Sequence, residues 1–374
     1  LERYDRVYYG VDWGWYPDPW AYNAAAYDAA RRVLVIFDEL TRSRTPNRET
    51  AELLLARGAG TDGPLTADAA ALLLIGIASA ACAFEYAPAE KLEIDGIEVN
   101  KVWIDMIPVY YTLPADYQEG QDMKICLFLS GLSGNKESLV STYSDFITSR
   151  GYVGVFFDHY EHGERSINGT TILNSSEDEV AALKKKILDT CFENMYRYGW
   201  EILGNSILDA ERVIDWFTAN MPVTEVVMGG HSMGGDTSVA VAGIDERVNR
   251  ILCVVTTPDW LRPGMHDLFT GEDMDPGKPD AKSQWYYDQF NPITHLSRYT
   301  RGIDVTFVCG ELDTHIPPEN AQRFISNLSR IAPDAAARMQ IWWNKGQGHK
   351  SPSSEDLGML FDWLLCGKDI VVAE

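Results

Sequence analysis

EVVMGGHSMGG, at residues 225–235, is the stretch that decides the fold. Its first half is a short apolar run that predicts a buried strand, and the sequence from Met233 onward predicts a helix. The G-x-S-x-G pattern at residues 230–234 therefore falls between a strand and a helix. In that position the glycines allow a strained turn that holds a serine hydroxyl above the sheet. Ser232 is the candidate nucleophile, and the N–H of Met233, at the positive end of the helix, is a candidate donor to an oxyanion.

Strand-like and helix-like segments alternate on both sides of this turn. Two upstream segments with partial alternation predict antiparallel strands, LEIDGIEVNKVWIDM and IPVYYTL. The short, almost wholly apolar run KICLFLS predicts a central parallel strand buried on both faces, and YVGVFFD predicts another buried strand. RILCVVTT, DVTFVCG and MQIWW are the further strands of the series. Helical segments lie between them, among them SLVSTYSDFITSR, NAQRFISNLSRI and DLGMLFDWLL. This order predicts an α/β fold with a mostly parallel, doubly wound sheet, helices on both faces and a ligand site at the carboxyl ends of the strands.

A serine hydroxyl is a poor nucleophile at neutral pH, so it needs a base, and the base needs an acid that orients it. Asp313 lies in GELDTHIPP, directly after the strand DVTFVCG. His349 lies in NKGQGHK, directly after the last strand, MQIWW. These two are the candidate acid and base. Asp259, which follows RILCVVTT, is a second candidate for the acid, since that loop also opens toward the site.

The remaining parts of a site are predicted from the loops. A second oxyanion donor should follow the strand KICLFLS, where the loop SGLSGNK makes the N–H of Leu132 the candidate. Two long connections, near 159–200 and 258–301, are candidate lid insertions. The second is rich in aromatic residues, and they either line a substrate pocket or pack the lid onto the core; the pocket candidates are Trp260, Trp285 and Tyr286. No arginine clamp is evident, which favours an uncharged ester.

From about Lys91 to the end, the sequence resembles the α/β-hydrolase superfamily, in particular esterases related to dienelactone hydrolases and prolyl-oligopeptidase-type catalytic domains. The stretches that carry the resemblance are SGLSGNKES, FFDHYEHGERS, GGHSMGG, CGELDTHIPP and GQGHK. The family's oxyanion loop usually begins His-Gly, whereas here it begins Ser130-Gly131. The order nucleophile, acid, histidine is that of the superfamily.

The resemblance implies a serine esterase that cleaves a carboxylic ester through an acyl-enzyme, with Ser232, His349 and Asp313 as its triad. It implies no metal and no organic cofactor, and its expected partner is a small-molecule ester. Peptidase, thioesterase and acyltransferase activities would use the same residues and stay open. A hydrolase-like binding protein is disfavoured, because such proteins usually lack part of the triad.

The first 68 residues have a different character, with eight arginines and no lysine. They resemble a fragment of the nuclease domain of phage terminase large subunits, which has a ribonuclease-H-like fold. The resemblance implies a carboxylate cluster that binds two metal ions for phosphodiester hydrolysis, and its acids would be Asp12, Asp38, Glu39 and Asp68. Because the resemblance stops after Ala70, we interpret these acids as ordinary surface residues of a truncated module, and a packaging nuclease remnant is the competing function.

Composition limits the partners. The chain of 374 residues has 55 acidic and 32 basic residues and a formal net charge of −23, which disfavours nucleic acid and anionic membranes. Its six scattered cysteines indicate neither a zinc site nor a disulfide framework. The apolar run at 69–84 is too short for a confident membrane span, so residues 69–90 are interpreted as a buried helix or linker before a catalytic domain at 91–374. We expect a cytoplasmic protein, with export as the alternative if that run is a signal segment, and a homodimer stays open.

Overall fold

The computed structural model describes residues 89–166 and 175–370, together with four strands and Leu54 of the N-terminal segment. The chain divides into two compact units, Leu1–Tyr86 and Ala87–Glu374.

The described strands of the first unit form a mixed sheet in the order β3-β2-β1-β4. β2 pairs antiparallel with both β1 and β3, and β4 pairs parallel with β1. The bounds are β1 Arg6–Asp12, β2 Trp20–Asp28, β3 Val33–Arg42 and β4 Leu65–Ala67. The apolar run predicted as a helix or linker at 69–84 lies outside the described residues.

In the second unit, the described strands form one nine-stranded sheet in the order β13-β12-β11-β10-β8-β9-β7-β6-β5. The strands from β8 to β13 pair parallel with one another, and β5, β6 and β7 extend the sheet antiparallel beyond β9. The parallel strands are β8 Met123–Leu129, β9 Val153–Phe157, β10 Val223–His231, β11 Val248–Val254, β12 Asp304–Gly310 and β13 Met339–Asn344. The predicted mostly parallel, doubly wound sheet is confirmed.

The antiparallel edge differs from the prediction in one respect, because the segment LEIDGIEVNKVWIDM forms two strands rather than one. They are β5 Glu90–Ile94 and β6 Ile97–Ile104, followed by β7 Ile107–Thr112. Asp95 and Gly96 form the turn between β5 and β6, and both have positive φ values, 50° and 83°. Asp-Gly is a favoured pair for a tight hairpin turn, so the break was visible in the sequence.

Helices pack on both faces of this sheet. On one face, α1 and α8 meet, and the rings of Phe146 and Phe361 stack with their centres 5.3 Å apart. On the other, α3 contacts both α4 and α5. The bounds are α1 Lys136–Thr148, α2 Glu177–Glu193, α3 Trp200–Asn220, α4 Met233–Ile244, α5 Ala281–Phe290, α6 Glu319–Ser329, α7 Pro333–Ala336 and α8 Ser354–Cys366. None of the helices in the described part of the chain is long and apolar enough to cross a membrane.

The strand order determines where a site can form. β8 lies between β9, which follows it in the chain, and β10, which comes later, so the order reverses at β8. In open α/β sheets, such a reversal opens a crevice at the carboxyl ends of the strands. The loop after β8 and the turn after β10 carry Leu132 and Ser232 respectively, and both therefore begin at this crevice.

Candidate active site

Ser232 lies in the sharp turn between β10 and α4. Its backbone has φ 52° and ψ −117°, a conformation that L-residues avoid and that costs on the order of 1–3 kcal/mol. Its N–H donates to the carbonyl of Val254 at 2.7 Å. A Cβ on Gly230 would lie 2.3 Å from the carbonyl carbon of Gly234, and a Cβ on Gly234 would lie 2.2 Å from the carbonyl oxygen of Leu129. The turn therefore requires glycine at both positions, as the motif predicted.

A chain of hydrogen bonds links the three predicted side chains. His349 Nε2 lies 3.0 Å from Ser232 Oγ, and His349 Nδ1 lies 2.8 Å from Asp313 Oδ2. The other carboxylate oxygen, Oδ1, accepts the N–H groups of His315 and Ile316 at 3.0 and 2.8 Å. Because a carboxylate can only accept, the imidazole proton lies on Nδ1, and Nε2 keeps the lone pair that can take the serine proton.

Asp259, the second candidate acid, is not part of this chain. Its Oδ2 forms an ion pair with Arg323 at 2.6 Å, and its Oδ1 accepts the N–H of Leu261 at 3.0 Å. Both oxygens are therefore held at the start of the second insertion. The structure places Asp313, and not Asp259, against the imidazole.

The two predicted oxyanion donors both line the cavity that contains Ser232. Gly134 donates its N–H to the carbonyl of Gly131 at 2.9 Å, which closes a tight turn with Leu132 at its second position. The turn makes no use of the N–H of Leu132. Met233 is the first residue of α4, and the first N–H groups of a helix have no acceptor within it.

The cavity has a volume of about 280 Å³ and holds both Ser232 and His349. The second insertion contributes Trp260, Arg262 and Leu268 to its wall. The first insertion contributes more of the wall than the aromatic content of the sequence suggested. Its residues are Leu188, Cys191, Phe192, Met195, Gly199 and Trp200. The sequence feature that could have identified them is the helical spacing of the apolar residues at positions 188, 191 and 192 in α2.

Of the predicted aromatic wall, Trp260 lines this cavity, whereas Trp285 and Tyr286 do not. Tyr286 is fully buried against α3, so close to Gly204 that a Cβ there would lie 2.1 Å from the ring. Its hydroxyl donates to Asn205 Oδ1 at 3.1 Å. The ring of Trp285 packs against those of Tyr286 and Phe290. For Trp285 and Tyr286, the packing alternative is the one that the structure supports.

An arginine that the sequence did not reveal lies in the cavity wall. Arg262 Nη2 forms an ion pair with Asp236 Oδ2 at 2.6 Å, and its Nη1 lies 3.6 Å from the sulfur of Met195. Asp236, on the first turn of α4, is fully buried and also accepts the N–H of Thr257 at 2.8 Å. Burial raises the pKa of Asp236, and the guanidinium opposes that shift. The positive charge of Arg262 is thus balanced inside the protein by the carboxylate of Asp236.

Two further imidazoles, His231 and His315, flank His349 with ring centres 5.8 and 5.1 Å from its own. Burial lowers the pKa of His231 to about 4 and that of His315 to about 4. His315 Nδ1 donates to the carbonyl of His266 at 3.0 Å. Both rings are therefore neutral at neutral pH, and neither adds a positive charge beside His349.

No group of three or more His, Cys, Asp or Glu within the described ranges is arranged to hold a metal ion. The acids of the terminase resemblance are not among the residues whose side chains are described. Asp12 lies on β1, and Asp38 and Glu39 lie on β3, while Asp68 lies outside the described residues altogether. The competing nuclease hypothesis therefore stays a prediction.

Residues 199–364 match the Prolyl oligopeptidase family, Peptidase_S9. No curated protein sequence matches this chain. Among solved structures, TT1662 from Thermus thermophilus is similar at 18% identity, with a TM-score of 0.48 over 74% of this chain and 94% of that one. Est1E from Butyrivibrio proteoclasticus is similar at 16% identity, with a TM-score of 0.43 over 70% and 90% of the two chains. The corresponding values for the esterase Pf2001 from Pyrococcus furiosus are 13%, 0.43, 75% and 93%.

The reversal of strand order at β8 and the strained serine between β10 and α4 define the class of fold. The second unit has the α/β-hydrolase fold, as the sequence predicted. Its second half carries the match to the Prolyl oligopeptidase family.

Proposed function

We propose that this protein is a serine hydrolase that cleaves a carboxylic ester through an acyl-enzyme. The observation that carries the proposal is the hydrogen-bonded chain from Ser232 Oγ through His349 to Asp313, with steps of 3.0 and 2.8 Å. These are the distances at which a base takes a proton from a nucleophile and an acid orients the base. Ser232 and His349 line a cavity of about 280 Å³, which is large enough for part of a small substrate.

In the first half of the reaction, Ser232 Oγ attacks the ester carbonyl carbon and its proton passes to His349 Nε2. The negative charge that develops on the carbonyl oxygen is held by the N–H groups of Leu132 and Met233. The tetrahedral intermediate collapses when the C–O bond to the alcohol breaks, and Nε2 returns the proton to the departing oxygen. Asp313 stabilises the imidazolium throughout, while its own proton state does not change.

In the second half, a water molecule replaces the alcohol. His349 Nε2 takes a proton from the water as its oxygen attacks the acyl carbon, and the same two N–H groups hold the second oxyanion. Collapse returns the proton to Ser232 Oγ and releases the carboxylic acid. The steps balance with ester and water as the only reactants, so the proposal requires no cofactor.

The cavity supports an uncharged, largely apolar substrate. Trp200, Trp260 and Phe192 line it, and the single arginine of its wall is paired with the buried Asp236. A substrate carboxylate would have to compete with Asp236 for Arg262. A neutral acyl or alcohol group needs no such exchange and gains from contact with the aromatic walls.

A peptidase is the second candidate, favoured by the match of residues 199–364 to the Prolyl oligopeptidase family. The same three side chains would cleave an amide, so a matched pair of substrates must decide. A p-nitrophenyl ester and a p-nitroanilide with the same acyl group differ only in the leaving atom. An esterase is expected to favour the ester by far more than their intrinsic difference in reactivity.

The test is hydrolysis of p-nitrophenyl esters of two to twelve carbons by the purified protein and by Ser232→Ala. We expect turnover with an initial burst of p-nitrophenol, loss of both in the variant, and no effect of a chelator. Turnover that survives Ser232→Ala in the folded protein contradicts the proposal, and chelator-sensitive cleavage of DNA would favour the nuclease hypothesis instead.

A further inference from the structure

The turn that carries Leu132 is strained next to the proposed oxyanion donor. Ser133 has φ 64°, in the left-handed region that favours glycine, although its neighbours Gly131 and Gly134 are the glycines of the turn. A serine in this conformation persists only when its surroundings hold it there. The contacts that do so come from the segment after β9, within the stretch FFDHYEHGERS.

His162 holds the strained residue itself. Its ring is fully buried, and its Nε2 accepts the N–H of Ser133 at 3.0 Å. Its Nδ1 lies 2.8 Å from the carbonyl oxygen of Tyr160. Because an N–H only donates and a carbonyl only accepts, the proton lies on Nδ1 and the ring is neutral. A protonated ring would point a second N–H at that of Ser133.

His159 and Asp158 hold the two ends of the same loop. His159, also fully buried, places Nε2 2.8 Å from the carbonyl oxygen of Ser130 and donates to it. Asp158 Oδ1 accepts the N–H of Lys136, the first residue of α1, at 2.9 Å. The loop is therefore fixed before the turn, at its strained residue and after it. Burial lowers the pKa of His159 to about 3 and also lowers that of His162, in agreement with two neutral rings.

We infer that His159 and His162 are positioning residues for the oxyanion donor. They hold the turn at residues 131–134 in the conformation that directs the N–H of Leu132 toward the oxyanion, and they are not among the residues that line the cavity with Ser232. The inference rests on the proposed function and adds to it a reason for two buried histidines outside the triad. An oxyanion contact strengthens as charge develops in the transition state, so its loss lowers kcat and not substrate binding.

The experiment compares His162→Phe with His162→Gln in the full chain. Phenylalanine fills the space but cannot accept the N–H of Ser133, whereas the glutamine side chain retains an acceptor oxygen. Removal of one oxyanion donor typically lowers kcat about 10²–10³-fold, so we expect a displaced donor to cost at least about tenfold in His162→Phe. KM should change little, and His162→Gln should recover part of kcat.

Two further variants distinguish a positioning role of His162 from a general disturbance of the packing. In Ser133→Gly/His162→Phe, glycine adopts a positive φ without strain, so the turn should need the imidazole less and kcat should recover relative to His162→Phe alone. The matched control is His295→Phe, since His295 lies in the second insertion and is not part of the cavity wall. Its kcat and KM should be those of the parent protein. A boronic acid that mimics the tetrahedral adduct should bind His162→Phe more weakly in proportion to the loss of kcat.

The inference is overturned if folded His162→Phe keeps its kcat, if only KM rises, or if the glutamine variant is no better than the phenylalanine variant. If neither single variant folds, the double variant decides: the inference expects a substantial kcat there, and a folded double variant whose kcat is no higher than that of Ser232→Ala would overturn it. These outcomes differ from failure of the proposed function, which would appear as ester turnover that does not depend on Ser232.

Discussion

The two sides of the proposed site are held in different ways. On the acid side, after β12 and β13, Asp313 is fixed by two backbone N–H groups and meets one imidazole that borders the cavity. On the oxyanion side, after β8 and β9, a buried cluster of ionised groups lies beneath the loop. There, Lys136 Nζ contacts Asp158, Glu137 and Glu164 at 2.7, 3.0 and 3.0 Å.

This difference in how the two sides are held indicates a different role for each of them. Lys136 is fully buried, and although burial lowers its pKa, Asp158 and Glu137 raise it further, so Lys136 keeps its positive charge. Such a cluster fixes backbone and exchanges no proton with substrate. In the proposed mechanism the acid side passes a proton in each half-reaction, and His349 lines the cavity. Substitution of Asp313 should therefore mainly affect rate, and substitution of Lys136 in the buried cluster should mainly affect stability.

The largest effect is expected for Asp313→Asn. An amide at this position leaves the geometry intact but holds the imidazole in the wrong tautomer, and kcat should fall about 10⁴-fold. Asp259→Asn is the matched control, because Asp259 is a similarly buried carboxylate after a neighbouring strand and is paired with Arg323. It should keep most of its activity. If the two variants exchange these results in a steady-state ester assay, the acid is assigned wrongly.

The second effect is on stability. Lys136→Met leaves the carboxylates of Asp158 and Glu137 buried without their cation, and the free energy of unfolding should fall by about 3–5 kcal/mol. Lys91→Met removes an exposed pair with Glu98, in which both side chains are about two-thirds exposed, and should change it by less than about 1 kcal/mol. Urea unfolding monitored by tryptophan fluorescence measures both. Equal losses in the two variants would contradict the comparison between buried and exposed charges.

The third effect is the dependence of stability on pH. The pKa values of His231 and His315 are lowered to about 4, so between about pH 6.5 and pH 4 the unfolded chain binds protons that the folded chain does not. Stability is therefore lost as pH falls through that window, by about 2 kcal/mol per imidazole between pH 7 and pH 5. Groups facing these rings include His349, Asp313 and, for His315, Arg262.

Urea unfolding of His315→Gln at pH 7 and pH 5 checks this expectation. The variant should lose less stability on acidification than the parent protein, since one titrating ring has been removed. His295→Gln, which replaces a ring outside the cavity wall, should not reduce the pH dependence to the same extent. An unchanged pH dependence in His315→Gln would show that this imidazole is not neutral in the folded protein.

The smallest effect concerns chain length. Phe192→Ala removes an aromatic ring from the cavity wall supplied by α2, and longer esters should gain relative to shorter ones. One methylene in an apolar pocket contributes about 1–3 kcal/mol, so kcat/KM for octanoate relative to butyrate should rise about tenfold. Trp285→Phe changes a ring outside the cavity and should leave the ratio as it is. A change in this ratio in Trp285→Phe but not in Phe192→Ala would indicate that the acyl chain binds next to α5 and not next to α2.

The sequence predicted those parts of the site that depend on strand ends. Ser232, Asp313 and His349 lie in the connections that follow β10, β12 and β13, and parallel strands bring their carboxyl ends to one edge of the sheet. The structure places the three within hydrogen-bond distance, which their spacing in the chain alone could not show. The glycines of the turn could also be predicted from the sequence, because the backbone segments approach so closely there that a side chain would not fit.

The parts that the sequence did not predict depend on tertiary packing. Trp260 and Tyr286 both lie in an aromatic-rich insertion, yet one faces the cavity and the other packs on α3, and composition does not separate them. The pairing of Arg262 with Asp236 joins the second insertion to the helix after the nucleophile, two segments that nothing in the local pattern connects. The same is true of His159 and His162, whose partners lie in the loop after β8.

The Arg262–Asp236 pair also bears on how molecules enter and leave. Lifting the second insertion away from α4 would break the 2.6 Å ion pair between Arg262 and the buried Asp236. The pair therefore tethers the insertion to α4 beside Ser232. Movement of this part of the cavity wall during entry or exit of a reactant would require the two charges to separate.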